Sequence, residues 1–125
     1  LRGILWYQGE SDCTPEYSIT YGERLAEWVS RARADLGIPD LPFFAVQLGR
    51  LATPTDAAGH AAWNMVREAI RRLPERIPHC AVTGAIDLGL SDGIHIDGRG
   101  LNRLGRRLAV LARQMEEKRP TSGPF

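Results

Sequence analysis

Lysine is almost absent from this chain: Lys118 is the only one, and every other basic residue is an arginine. Sixteen Lys and Arg stand against fifteen Asp and Glu, a formal net charge of +1. So balanced a chain projects no long-range field toward nucleic acid or an anionic membrane. Arginine suits phosphate recognition, but here the arginines alternate with acids along helical stretches and read as a solvated helix face. Cysteine is scarce as well. Cys13 and Cys80 lie far apart and form no C-x-x-C pair, which leaves one disulfide or, more plainly, two separate thiols. His60, His79 and His95 have no zinc-ligand spacing, so no metal site is expected. No apolar run approaches membrane-spanning length, and the N-terminus lacks the charged-then-apolar pattern of a signal peptide. Because Leu1 is not a start methionine and opens directly into a strand, an upstream segment and any export signal it carried remain open. There is no G-x-x-x-x-G-K-[ST], and Gly98, Gly100 and Gly105 are spaced wrongly for a dinucleotide fingerprint.

What is present reads as one α/β domain or part of one, with apolar residues for a single modest core. Gly3 to Gln8 suggests a strand. A polar stretch follows, with a possible helix start at Thr14-Pro15-Glu16. Tyr21, Leu25, Trp28, Val29, Ala32 and Leu36 recur at helical spacing, and Gly37 and Pro39 end that helix. Leu41 to Leu48 is a continuous apolar run suited to a strand buried on both faces. Gly49 to Gly59 is the longest irregular stretch, placed where a loop would line a site. Trp63, Val66, Ile70 and Leu73 mark a second helix over 61–73, and Cys80 to Ile86 a third strand. A last helix over 101–117 presents Leu101, Leu104, Leu108, Leu111 and Met115 to the core. Strands alternating with helices predict a three-layer α/β/α architecture with a mostly parallel sheet. Three strands this apolar need neighbours, so the N-terminal part of the domain is expected to lie elsewhere. Residues 1–118 are then the C-terminal part of a domain and 119–125, with two prolines and a glycine, a flexible tail.

Two polar groups stand where strands hand over to loops. Asp92-Gly93-Ile94-His95 sits among glycines after the third strand, and an Asp three residues before a His can fix which ring nitrogen carries the proton. The plain alternative is an ordinary surface turn. Gln8-Gly9-Glu10 ends the first strand, where an amide and a flexible backbone N–H are suitable oxyanion donors. Equally, Gln8 and Glu10 could satisfy loop backbone, or Glu10 could pair with an arginine. No nucleophile accompanies either group convincingly: Ser11 and Ser91 adjoin them, and Ser91 is too local to Asp92.

Trp6-Tyr7-Gln8-Gly9-Glu10-Ser11-Asp12 resembles a block of the SGNH/GDSL-type carbohydrate esterases, in the sialate O-acetylesterase and acetyl xylan esterase group. Asp92-Gly93-Ile94-His95 with Gly105-Arg106-Arg107-Leu108-Ala109 resembles that group's closing Asp-x-x-His block and its helix. Phe44 to Leu48 and Trp63 to Ala69 match intervening stretches in the right order. The resemblance implies His95 as general base, Asp92 as its orienting acid, Gln8 and Gly9 as the oxyanion block and Glu10 as a supporting carboxylate. It implies an acetylated carbohydrate as substrate, no metal or organic cofactor, and a setting that is often extracytoplasmic. It also implies a nucleophilic serine in an N-terminal Gly-Gln-Ser-type block, which this sequence does not contain. The expectation is therefore a missing N-terminal segment of the same domain and little activity from these residues alone. The competing expectation is a noncatalytic carbohydrate- or partner-binding domain derived from such an esterase, with Trp6, Tyr7 and Trp63 as a sugar platform.

Overall fold

The computed structural model describes residues 1–121, and the expected tail over 119–125 lies largely outside them. Three parallel strands, β1 (Ile4–Trp6), β2 (Phe43–Gln47) and β3 (Cys80–Gly84), follow one another in the order β1-β2-β3. Ile4 stands opposite Phe43, and Phe43 opposite Cys80. The helices are α1 (Tyr21–Leu36), α2 (Ala57–Arg71) and α3 (Gly98–Glu116).

Side chains alternate between the faces of a strand, and β2 uses both. Phe43 and Ala45 pack with Tyr21, Leu25 and Val29 of α1 and with Trp63, Val66 and Ile70 of α2. Val46 meets Leu104 of α3 on the other face, and Phe44 meets Leu111. A strand buried from both sides needs a continuous apolar run rather than an alternating one, which is what 41–48 supplies. The fold is therefore α/β, a parallel sheet between two helical layers.

The boundaries shift for identifiable reasons. α2 opens at Ala57, not 61, because the Asp56 carboxylate accepts the Gly59 N–H at 2.8 Å. An N-cap of this kind starts a helix before its apolar stripe begins. The loop expected to run to Gly59 consequently ends at Asp56. α3 opens at Gly98 for the same reason, with Asp97 accepting the Gly100 N–H at 2.6 Å. Leu101, expected in the core, is instead 50% exposed, while Leu104 and Leu111 are buried. No helix starts at Thr14-Pro15-Glu16. The Thr14 hydroxyl accepts the Tyr17 N–H, and the chain continues in turns until α1. Nor are all the arginines solvated: Arg33 is buried, its guanidinium donating to the backbone oxygens of Leu41 and Pro78. Cys13 and Cys80 are both free thiols. Among the described residues no helix is long and apolar enough to cross a membrane.

With all three strands parallel, their C-terminal ends share one rim of the sheet. Open α/β folds assemble their sites at that rim.

Candidate active site

Three loops leave this rim. The first, after β1, passes through Gly9 into a single 3-10 turn, Glu10–Asp12. Gly9 has φ +147°, and a Cβ there would meet Val66 Cγ1 at 2.9 Å. Neither the conformation nor the space admits a side chain. The second loop joins β2 to α2. The third joins β3 to α3 and is folded back on itself by a bridge between Leu90 and Ile96. Within it the Ser91 N–H donates to the His95 oxygen at 2.8 Å, and the Asp97 N–H to the Gly89 oxygen at 2.9 Å.

Asp92 to His95 is the tip of that third loop. Ile94 turns inward and packs on the larger core cluster, and the Ala52 N–H of the second loop donates to the Gly93 oxygen at 2.8 Å. A Cβ at Gly93 would run into the Thr53 side chain, so the second loop can close only over glycine. With Ile94 anchored, its neighbours are free to face outward. One Asp92 oxygen accepts the backbone N–H groups of Ile94 and His95 at 2.8 and 2.7 Å, and the other lies 2.7 Å from His95 Nδ1.

The electrostatics follow. The hydrogen bond from His95, then the two backbone N–H groups, hold the Asp92 carboxyl down at about 2. The same bond raises the His95 imidazole above its ordinary value, with the charge of Asp92 and then that of Glu10 acting in the same direction. An ionised Asp92 can only accept, so Nδ1 carries the proton and Nε2 is the basic nitrogen. No hydrogen bond engages Nε2 among the described residues, and the side chain is 62% exposed.

The first motif is brought to the same rim, where the charge of Glu10 reaches His95. The Gln8 amide is occupied: Nε2 donates to Asp12 at 2.7 Å, and Asp12 is held by Arg24 at 2.7 Å. Gln8 lines a cavity of about 140 Å³ bounded by Trp6, Asp12, Tyr21, Arg24, Leu25 and Trp28, which contains neither Asp92 nor His95. The backbone N–H of Gly9 has no hydrogen-bond partner among the described residues. It is the available donor of the pair. Sequence reasoning missed Asp12, Arg24 and Tyr21, which hold this turn. Tyr21 registered only as part of an apolar stripe, and a hydrogen bond from that stripe to a loop leaves no periodic signal.

Ser91 does not face the imidazole, since its hydroxyl lies 3.3 Å from the His95 backbone oxygen. The supposed sugar platform is not assembled either. Trp63 is buried with Nε1 donating to the Gly49 oxygen at 3.1 Å, and Trp6 packs against Trp28 at a ring separation of 4.7 Å. The Tyr7 hydroxyl is buried with no hydrogen-bond partner among the described residues.

Comparison with known proteins gives a consistent result. The family described as carbohydrate esterase, sialic acid-specific acetylesterase, matches residues 1–114. A carbohydrate acetylesterase from Xanthomonas citri superposes with a TM-score of 0.79 at 31% identity, over 91% of this chain and 26% of that one. A protein from Arabidopsis thaliana superposes with a TM-score of 0.79 at 28% identity, over 91% of this chain and 44% of that one. This chain therefore spans less than half the length of either. No curated protein matches it.

Proposed function

The chain belongs to the carbohydrate esterase family of sialic acid-specific acetylesterases, and from that premise we propose that it carries the acid–base half of a serine-type O-acetylesterase of SGNH/GDSL type. The observation that carries the reading is the His95–Asp92 pair, 2.7 Å apart on the rim with Nε2 free. His95 Nε2 takes the proton from a serine hydroxyl as its oxygen attacks the acetyl carbonyl. The tetrahedral oxyanion accepts from the Gly9 N–H, a kind of donor whose removal costs about 10²–10³-fold in kcat. His95 returns the proton to the departing sugar oxygen as the C–O bond breaks, leaving acetyl-enzyme. Water, deprotonated by the same nitrogen, then releases acetate and restores the serine. Asp92 keeps Nδ1 protonated throughout and stabilises the imidazolium.

The serine is assigned to residues preceding Leu1, with residues 1–118 as the C-terminal part of the domain. What supports this is the outer edge of β1. Among the described residues β1 has no partner on that side, and parallel strands are ordinarily covered on both faces. Yet Leu5 on β1 is 64% exposed, and on the other face Trp28 of α1, packed on Trp6, is 42% exposed. A further strand and helix there would complete the domain. On this reading the 125 residues alone hydrolyse little or nothing.

The test is acetate release from an O-acetylated sialic acid, with acetylated xylan as the second substrate of the same class. It uses the polypeptide that carries this chain together with its nucleophile. His95→Ala should lower the rate by about a thousandfold or more with the fold retained. A His95→Ala enzyme working at the wild-type rate would remove the general base from the scheme.

A further inference from the structure

We infer that Tyr21 is a positioning residue for the Gly9 N–H, acting through the peptide bond between Gln8 and Gly9. The inference rests on the reading of Gly9 as the oxyanion donor and names what aims it.

Four contacts define the geometry. The Tyr21 hydroxyl donates to the Gln8 backbone oxygen at 2.8 Å. The same hydroxyl accepts a long contact from Trp6 Nε1 at 3.4 Å. The Gly9 oxygen, in turn, accepts the Asp12 N–H at 3.0 Å and the Cys13 thiol at 3.2 Å. No peptide bond is cis among the described residues, so the C=O of Gln8 and the N–H of Gly9 point in opposite directions from one rigid plane. Drawing the carbonyl toward Tyr21 at the start of α1 therefore turns the N–H away from α1, where nothing engages it.

The other groups close off the alternatives. A hydroxyl has one proton to give, and the shorter contact is to the Gln8 backbone oxygen; the Gln8 side-chain oxygen lies farther, at 3.2 Å. Asp12, fixed by Arg24, holds the Gln8 Nε2, so the carboxamide cannot swing round and take the backbone's place. Tyr21 is 3% exposed, and burial pushes its phenol up to about 12. It stays a donor at any pH at which an esterase works. A Cβ at Gly9 would meet Val66, Leu48 and the Tyr21 hydroxyl at 2.9, 3.3 and 3.3 Å, so the residue is closely packed beside the hydroxyl that holds its peptide.

Tyr21→Phe tests this, because it keeps the buried ring and deletes only the hydroxyl. In the polypeptide carrying this chain and its nucleophile, kcat for acetate release should fall about tenfold or more with KM little changed. In a ¹H–¹⁵N spectrum of the same protein, the Gly9 amide should move while resonances of α3 stay in place. The melting temperature separates this from unfolding. A folded Tyr21→Phe variant with wild-type kcat overturns the inference, and so does an unmoved Gly9 amide. His95→Ala at the wild-type rate would instead overturn the esterase reading, and the Gly9 amide would then decide the positioning on its own.

Discussion

At the scale of single residues, the site depends on glycines as much as on charged groups. Gly9 holds φ +147° against Val66 and Leu48, a backbone region that side chains avoid. Gly9→Ala should therefore destabilise the folded state by about 1–3 kcal/mol, read as a lower urea midpoint with an unchanged slope. An unchanged midpoint would mean that the turn after β1 is not built as described. The sequence made this residue conspicuous, since a glycine between Gln8 and Glu10 at a strand's end has few other reasons to be there. It did not reveal which neighbour donates. Gln8 drew attention as an amide, yet its Nε2 is held by Asp12 at 2.7 Å. That tie depends on Arg24, which approaches from another helix and shares no local pattern with it. Asp92 and His95 were legible because their contact spans three residues, so local spacing alone prescribes it.

At the scale of elements, the sequence pattern located the three strands and α1 to α3, and gave α1 its start at Tyr21, but missed the first turns of the other two helices. α2 and α3 each begin ahead of their apolar stripe, because a single aspartate, Asp56 or Asp97, caps the following backbone. An N-cap is one residue rather than a repeat, and it is easily read as loop polarity. Arg33 was illegible for a related reason. It continues the stripe of Leu25 and Val29 at four-residue spacing, all three buried, but its charge argues for solvent. The structure resolves the conflict with backbone acceptors: Arg33 donates to Leu41 at 3.0 and 2.8 Å and to Pro78 at 2.8 Å. It thus pins the C-terminal end of α1 to the segments entering β2 and β3. Arg33→Met keeps the apolar stem and leaves both carbonyls short of a donor. It should lower stability by about 1–3 kcal/mol in urea denaturation, with no direct effect on the rim at the other end of the strands. Wild-type stability would show that the guanidinium is dispensable.

At the scale of the whole molecule, parallel topology does the assembling. Loops far apart in sequence leave the sheet at one rim, which brings the carboxylate of Glu10 into the field of the His95 imidazole. The α/β layering was readable from the chain because buried parallel strands and amphipathic helices have distinct patterns. The neighbours β1 would take on its open side are not a property of these residues, and only the exposure of Leu5 and Trp28 marks where they would sit. The central claim is that one rim holds an imidazole whose basicity is set jointly by Asp92, within its own loop, and Glu10, from the turn after β1. The pH dependence of acetate release in wild type, Asp92→Asn and Glu10→Gln tests it most directly. Both carboxylates favour the charged ring, so the base form appears only above a raised pKa. The acid limb in wild type should fall above the ordinary histidine value of about 6.5, and each substitution should move it to lower pH, Asp92→Asn the further. A limb that stays where it is in both variants would contradict the account.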